Sequence, residues 1–357
     1  PAHNVQHSLT LLARAEEVSG FDEWVYRTAA VMTPEERETN QLVMIGFYYA
    51  TRPEASYPSF AAYLEHLASA APRHLRDKVL EAYIDIVAKA EGDDEGERPG
   101  YDEILADVNS YLAFLRRGFG DHFVPDVERR AYTYLLDPPA LQQLVVSHLR
   151  SMWYKYLAVE WERVRPMLQK AVRAFDGVDL NSMERAAAIE YVVGRPLPID
   201  KWCEDLEDAA RLVFIPSAHV GPYTARIAAG DTVWLLFGAR QPQDAGDDAP
   251  ELTRAELLVR LNALADDTRL SGLRLLAEQG ELRSQDIMNV LDLSQSGASR
   301  HLQQLTAAGF LNERRCNGAK CYQLSDARIE NTLQALGSYL SRVDSREPSS
   351  PGRARGG

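Results

Sequence analysis

Residues 293–310 read LSQSGASRHLQQLTAAGF, and this stretch decides the fold of the C-terminal part of the chain. Ser294 is a favoured N-cap residue, and Gly309 is the residue type that commonly ends a helix in a left-handed conformation. Apolar residues recur between them at helical spacing: Ala298, Leu302 and Leu305. The pattern therefore predicts an amphipathic helix whose apolar face is buried against neighbouring elements.

The segments around this helix follow a specific order. Helices are predicted over 251–265, over 266–280, over 284–291 with Ser284 as its cap, and over about 326–341. The segment FLNERRC and the segment KCYQL flank Asn317-Gly318, which is a strong signal for a two-residue β-hairpin. Two helices, a helix-turn-helix, a hairpin and a last helix are the elements of a winged helix.

The exposed face of the 294–309 helix carries short or planar hydrogen-bonding side chains in its first turns: Gln295, Ser296, Ser299 and Arg300. A helix that reads DNA enters the major groove by its N-terminal turns. Arginine can bond guanine in a bidentate way, and glutamine can do the same to adenine. We therefore expect double-stranded DNA to be a partner of this helix.

The predicted hairpin adds cations beside its turn, namely Arg314, Arg315 and Lys320. Positive charge on a tight hairpin suits contact with the phosphate backbone, which adds affinity with little sequence preference. The alternative is a solvated amphipathic helix beside a hairpin with ordinary surface charge. Some winged helices, moreover, serve only as protein-interaction modules.

Composition and charge place these elements in a larger chain. The 357 residues are 45% hydrophobic and 25% charged, which is globular composition and too long for one core. Residues 1–250 hold 25 Lys+Arg and 39 Asp+Glu, whereas residues 251–342 hold 11 of each. The net charge of −13 therefore belongs to the first part of the chain. Without an apolar run long enough for a membrane span, we expect a soluble, cytoplasmic protein.

The chain divides at a Pro, Gly and Asp-rich segment. We predict a mostly helical N-terminal domain over 1–240, a linker over 241–250, the winged helix over 251–342 and a disordered tail over 343–357. Two β-rich runs, 211–215 and 232–237, predict a small hairpin or sheet that closes the first domain. The fold class is mainly α. Pro166 is expected to kink or interrupt a long helix over about 139–175.

Residues 261–326 resemble the ArsR family of bacterial winged-helix repressors. The motifs that carry the resemblance are ALADDTRLSGLRLL, LSQSGASRHLQQL, AAGFLNERR and the aromatic residue in CYQL. The resemblance implies a homodimer on a palindromic operator, with the first and last helices of the module forming the dimer face. It also implies DNA contact by the polar residues of the 294–309 helix, and adds His301 to them. The segments MWYKYLAVEWERVRPMLQ and FIPSAHVGPYTARI resemble, more loosely, an N-terminal extension found in some regulators of this type.

The sensing sites usual in that family are missing. The stretch ELRSQDIM at 281–288 has no Cys or His, and the last helix offers Asp326 and Glu330 without a His. We therefore predict no metal site of the family type and no cofactor. His3 and His7 have metal-pair spacing, but we expect an unstructured N-terminus there.

Several interpretations of the signal and of the function stay open. Cys316 and Cys321 flank the hairpin turn and could form a redox pair, although Cys316 should face Ala319 instead of Cys321. The aromatic set Trp153, Tyr154, Tyr156 and Trp161 could line a pocket for an unknown small-molecule effector, although such residues are more often core.

His219 is expected to be a turn or core histidine. The alternatives to a repressor are an enzyme-like or receptor domain tethered to a winged helix, and a protein-interaction module without a specific DNA site.

Overall fold

The computed structural model describes residues 1–18, 20–92, 98–120, 123–194, 206, 209–239, 254–316 and 319–341. The predicted linker over 241–250, the Asn317-Gly318 turn and the tail over 343–357 lie outside the described residues. The chain forms two compact units. Unit 1 consists of Pro1–Lys170 and Glu204–Phe237, and unit 2 of Ala171–Cys203 and Gly238–Gly357.

Unit 1 is built from helices. They are α1 (Ala2–Ala13), α2 (Glu23–Val31), α3 (Pro34–Gln41), α4 (Tyr48–Thr51), α5 (Phe60–Ser69), α6 (Pro72–Glu91), α7 (Tyr101–Ile104), α8 (Val108–Phe119), α9 (Pro125–Leu135), α10 (Pro138–Met152) and α11 (Ala158–Phe175). The last of these runs across the boundary into unit 2. One apolar core joins α1 to the π-helical segment Trp153–Leu157, which confirms the predicted helical class.

The first helix corrects the expectation of an unstructured N-terminus. Residues 2–13 form α1, and the apolar side chains of Val5 and Leu9 are fully buried in the core of unit 1. His3 is buried as well, with its ring 5.0 Å from that of Trp234. Burial lowers the pKa of His3 to about 4, so this residue is a neutral core histidine near pH 7.

The long helix predicted over 139–175 is present, but Pro166 does not interrupt it. Helix α11 continues through Pro166, and the irregular stretch is the π-helical segment Trp153–Leu157 that joins α10 to α11. A π-helical segment takes up an extra residue without ending the helix, and the sequence carries no simple signal for one.

A three-stranded sheet completes unit 1, in the order β1-β3-β2. Its strands are β1 (Arg211–Ser217), β2 (Thr224–Ala229) and β3 (Thr232–Gly238). Strand β3 pairs antiparallel with β2, from Thr224 opposite Phe237 to Ala229 opposite Thr232. Five consecutive residues of β3, from Val233 to Phe237, are buried, as expected for the central strand of a sheet covered on both faces.

Unit 2 contains α12 (Arg185–Val193) and a winged helix. The winged helix consists of α13 (Arg254–Leu264), α14 (Asp267–Gln279), β4 (Leu282–Arg283), α15 (Ser284–Leu291), α16 (Gln295–Ala307), β5 (Leu311–Cys316), β6 (Ala319–Leu324) and α17 (Asp326–Ser341). The sheet order is β4-β6-β5, with β6 antiparallel to both neighbours. The predicted helices and hairpin are therefore confirmed, and the short strand β4 is added.

The ends of the helices follow the predicted caps with one correction. Ser294 caps α16, and Gly309 adopts a φ of +83° just beyond it. Ser284, in contrast, is the first residue of α15 and not its cap. The Asp286 carboxylate accepts the backbone N–H of Arg283 at 3.2 Å and satisfies that helix start.

Candidate nucleic-acid interface

Helix α16 begins with a well-formed cap. The Ser294 hydroxyl oxygen accepts the backbone N–H of Gly297 at 3.2 Å. A Cβ at residue 297 would lie 3.1 Å from that hydroxyl, so a larger residue would crowd the cap. Ala298, Leu302 and Leu305 are buried, as the spacing predicts, and they hold the apolar face of α16 in the unit 2 core.

A buried arginine fixes α16 to the helices before it. The Arg269 guanidinium donates to Gln304 Oε1 of α16 at 2.9 Å, to Ala263 O at 2.7 Å and to Asn262 O at 2.9 Å. Its side chain is only 8% exposed, and Asp266 lies 3.7 Å away as its counter-charge. Arg269 thus joins the end of α13 to the last turn of α16, and it helps to fix the orientation of α16.

Sequence reasoning missed Arg269 and Gln304, although a signal was present. Arg269 falls at helical spacing with Gly272, Leu273 and Leu276, all of which are buried. A charged residue within an apolar stripe indicates a buried polar network when partners are available.

The side chains predicted to read bases lie where the helix can offer them. Gln295, Ser296, Ser299 and Arg300 are all exposed on α16, on the side away from the core. Arg300 forms no ion pair with any described residue. His301 is placed differently, because it is half-buried with Nδ1 3.6 Å from Asp266 Oδ1. The ring therefore faces the start of α14. Burial lowers the pKa of His301, which favours the neutral ring near pH 7.

The three cations of the hairpin are not equivalent. Arg314 donates to both carboxylate oxygens of Glu281 at 2.5 Å, and Lys320 lies 2.6 Å from Glu313 Oε1. The guanidinium of Arg314 lowers the pKa of Glu281, which keeps that carboxylate charged. Arg315 is exposed and has no ion pair within the described part of the chain. Arg315 is therefore the hairpin cation that can contact phosphate without first leaving a carboxylate.

The two hairpin cysteines are both free thiols. Cys316 pairs with Ala319 in the register, as the sequence predicts, and Arg314 pairs with Cys321. The two sulfurs and a carboxylate oxygen of Glu281 nevertheless lie within 4.8 Å of one another. The hydrogen bond between the thiols raises the pKa of Cys316 to about 11, so the thiolate, which is the form that reacts with oxidants, is scarce near pH 7. The redox role of this pair stays a prediction.

Apolar side chains are exposed on the first and last helices of the winged helix. Leu258 of α13 is 49% exposed, and on α17 the corresponding fractions are 58% for Leu333, 47% for Tyr339 and 60% for Leu340. The two helices pack on each other, with Arg260 donating to Asn331 Oδ1 at 2.7 Å. Exposed apolar groups concentrated on adjoining helices are typical of a protein–protein interface.

Unit 1 contains a small cavity. Trp161 and Leu168 of α11, Asn4 and Ser8 of α1, and His219 are among its lining residues, and the cavity volume is about 10 Å³, which is room for about one water molecule. That volume is far below the roughly 300 Å³ at the lower end for pockets that take drug-sized ligands. Of the four aromatic residues predicted as pocket candidates, Trp161 alone lines this cavity. Tyr154 is exposed, the Trp153 ring packs on Phe60, and Tyr156 donates to Glu36.

His219 sits in a buried hydrogen-bonded chain. Its Nδ1 lies 2.8 Å from the Ser8 hydroxyl oxygen, its Nε2 lies 2.9 Å from Glu160 Oε1, and its ring stacks on Trp24 at 4.3 Å. A hydroxyl, an imidazole and a carboxylate in this order also occur in hydrolases. Here Ser8 is 2% exposed and donates to the Asn4 carbonyl at 2.7 Å, and the cavity beside it has room for about one water molecule and not for a larger substrate. These contacts are consistent with a core histidine.

Comparison with known proteins identifies the winged helix. Residues 266–313 match the family model described as a bacterial regulatory protein, arsR family. An arsenic resistance transcriptional regulator of Pseudomonas putida is 39% identical over 85 residues, which cover 22% of this chain and 66% of that protein. The arsenical resistance operon repressor of Escherichia coli is 45% identical over 62 residues, covering 17% and 53%. The chain thus spans between about half and two thirds of these relatives. Among the described residues, no helix is long and apolar enough to cross a membrane.

Proposed function

Through residues 266–313 the chain belongs to the ArsR family, and from that premise we propose a sequence-specific DNA-binding transcriptional regulator that acts as a homodimeric repressor in the cytoplasm. The observation that carries the proposal is the exposed polar start of α16, where Gln295, Ser296, Ser299 and Arg300 project from a capped helix held on a buried core. This arrangement suits insertion into the major groove.

The reading and anchoring roles fall on different residues. Arg300 supplies base contacts, because it lies on the exposed face of α16 near its start. Arg315 supplies a phosphate contact from the hairpin, because it is the exposed hairpin cation without an ion pair among the described residues. Arg314 and Lys320 are held by Glu281 and Glu313 and contribute less until those pairs open. His301 acts on the orientation of α16 through Asp266, and its contact with DNA stays a prediction.

The test starts by selecting fragments of the source genome on the purified chain and determining whether they share a palindrome. Binding of that palindrome and of unrelated DNA is then measured over a range of salt concentrations. The Arg300→Ala variant should weaken operator binding by about tenfold or more per half-site and leave non-specific binding nearly unchanged. The Arg315→Ala variant should weaken both, and lower the salt slope by about one per protomer.

Arg274→Ala is the matched control, since Arg274 is an exposed arginine of the same unit that pairs with Glu278 on α14. Equal effects of Arg300→Ala and Arg315→Ala on operator and non-specific DNA would contradict the division of roles. Enrichment of fragments without a shared sequence would favour a protein-interaction module instead.

The dimer face of the proposed repressor lies on α13 and α17. Leu333 and Leu340 are seven residues apart, so they project from the same side of α17, and both are more than half exposed. The double variant Leu333→Lys and Leu340→Lys should be monomeric in sedimentation at concentrations where the natural chain is a dimer. Val290→Lys, at an equally exposed apolar residue of α15, should leave the dimer intact.

A second candidate function is a small-molecule receptor in unit 1. The observation behind it is the cavity lined by Trp161 and His219, which is water-sized in this conformation and would have to widen to admit a ligand. A fragment library screened by tryptophan fluorescence would find ligands of this cavity, and Ala218→Leu, which adds bulk to its lining, should abolish their binding. Hits that bind both forms equally, or no hits, would contradict a receptor role for this cavity.

A further inference from the structure

The register of the hairpin sheet brings three ligand-bearing side chains to one face. Side chains directly opposite each other in an antiparallel pair share a face, and alternate residues along a strand return to it. Cys321 is opposite both Arg314 on β5 and Arg283 on β4. Cys316, two residues after Arg314, and Glu281, two residues before Arg283, therefore lie on the same face as Cys321.

The distances on this face fit a metal ion. The Cys316 sulfur lies 3.6 Å from Glu281 Oε1, and all three ligand atoms lie within 4.8 Å of one another. A tetrahedral ion with a metal–sulfur distance of about 2.3 Å and a metal–oxygen distance of about 2.1 Å holds sulfur and oxygen about 3.6 Å apart. The cysteine and the carboxylate already have that separation, and the Cys321 sulfur lies within 4.8 Å of both.

We propose that Glu281, Cys316 and Cys321 form a binding site for a thiophilic divalent cation of the zinc and cadmium class. Two sulfurs and one carboxylate oxygen are a donor set that such ions accept, and the fourth position is left to water. On loading, both thiols release their protons to solvent and the sulfurs bond the ion as thiolates. The carboxylate exchanges one cationic partner, Arg314, for another, the metal.

The site differs from the helix sites of the family, because it uses no residue of α15 or α17. Its ligands come from the residue before β4 and from the two strands of the hairpin. Two of the ligands, Glu281 and Cys316, are half-buried and so partly open to solvent, and the third, Cys321, is buried beneath them. An ion can therefore reach the exposed side of the cluster without unfolding of the sheet.

Binding of the ion should change how the hairpin contacts DNA. This consequence rests on the proposed DNA-binding function. In the free site Arg314 is held by both oxygens of Glu281 at 2.5 Å. A metal ion that takes one of these oxygens frees the guanidinium, and a freed guanidinium can contact a phosphate. Replacing two thiol protons by a divalent ion leaves the net charge of the site unchanged, so the gain comes from Arg314 alone. We expect the loaded form to bind DNA more tightly, with a salt slope larger by about one per hairpin.

The binding experiment uses the reduced full-length chain titrated with Cd²⁺, whose thiolate complexes absorb in the near ultraviolet. The natural chain and the Cys203→Ser variant should each bind one ion per chain with the absorbance of two thiolates. Cys316→Ser and Cys321→Ser should each lose about half of that absorbance and bind more than tenfold more weakly. Glu281→Gln should weaken binding and keep the absorbance at saturation, whereas Glu278→Gln, at a nearby exposed acid, should match the natural chain.

Absorbance that disappears in Cys203→Ser, or that persists in both hairpin cysteine variants, would overturn the site. The DNA experiment compares operator affinity with and without Cd²⁺ in the natural chain and in Arg314→Ala, where the metal should have no effect. Saturating Cd²⁺ binding without a change in operator affinity would overturn the coupling and leave the site standing. Failure to bind any operator, in the presence of normal Cd²⁺ binding, would count against the proposed function and not against the site.

Discussion

Replacement of Arg269 by methionine should destabilise unit 2, because it removes the hydrogen bonds that link α16 to the end of α13. Methionine has a similar length and flexibility, so it fills the space without a large cavity. It cannot donate, however, and the change removes the guanidinium donor from three acceptors: Ala263 O, Asn262 O and Gln304 Oε1. All three lie in or beside the core of unit 2.

The expected loss follows from the burial of this network. A hydrogen bond from a charged group contributes about 1.5–3 kcal/mol, and the three are not additive because they share one guanidinium. Breaking a buried charged network by removing one member costs about 3–5 kcal/mol. We therefore expect Arg269→Met to lower the free energy of unfolding of unit 2 by about 3–5 kcal/mol. That is a large share of the roughly 5–15 kcal/mol that stabilises a typical domain.

The tryptophan positions allow this loss to be assigned to one unit. Four of the five tryptophans, Trp24, Trp153, Trp161 and Trp234, belong to unit 1, whereas Trp202 belongs to unit 2, so the experiment is done in a Trp202→Phe background. Urea unfolding followed by far-ultraviolet circular dichroism includes the helices of the winged helix, whereas the fluorescence of the four remaining tryptophans reports on unit 1 alone. In Arg269→Met, part of the dichroism transition should move to lower urea by about 2 M, since typical urea slopes are about 1–3 kcal/mol per M. The fluorescence transition should stay in place.

Arg274→Met is the control on the same helix. The side chains of Arg274 and Glu278 are 82% and 58% exposed, so solvent screens their ion pair and Arg274→Met should hardly change the free energy of unfolding. A loss below about 1 kcal/mol in Arg269→Met, or equal losses in the two variants, would refute the view that the Arg269 network fixes α16.

Two further predictions concern unit 1 and are measured by tryptophan fluorescence during unfolding. Burial raises the pKa of Glu128 from 4.5 to about 7, although Tyr111 and Tyr83 donate to its carboxylate. The folded chain then holds this proton more tightly than the unfolded chain, so the free energy of unfolding should fall by up to about 3 kcal/mol between pH 4.5 and 7. Glu128→Gln should remove that fall, and an unchanged pH profile would contradict the assignment. Gly221→Ala should cost about 2 kcal/mol or more, because its φ is +61° and a Cβ would lie 2.1 Å from Gly20 O. Gly230→Ala, with a φ of +57° and no atom within 4 Å of the added Cβ, should cost clearly less, and equal losses would refute the role of the close approach.

Local signals were sufficient for the winged helix. The Ser294 cap, the Gly309 stop and the alternation around Asn317-Gly318 depend on backbone geometry within a few residues, so the sequence predicts α16 and the hairpin strands well. The faces of α16 followed from the same spacing. The spacing alone predicts that the polar side chains at the start of α16 are exposed and that its apolar side is buried, and the structure agrees on both faces.

Contacts between distant segments could not be obtained in this way. Glu281 meets Arg314 and Cys316 because β4 pairs with β6, yet β4 is two residues long and too short to produce a periodic pattern. The hairpin cations looked alike in sequence, and only the pairing of Arg314 and Lys320 with carboxylates separates them from Arg315. The buried Arg269 required knowledge of which carbonyls lie opposite it.

The path of the chain between the two units has a consequence for how such a protein can be assembled from parts. The backbone passes from one unit to the other three times, after Lys170, after Cys203 and after Phe237. Helix α12 is grouped with the winged helix, and Arg328 of α17 has Nη1 3.5 Å from Gly194 O at its end. A fragment started at the linker would lack α12, so unit 2 cannot be transferred to another chain as one continuous cassette. Two separate stretches of coding sequence have to move together.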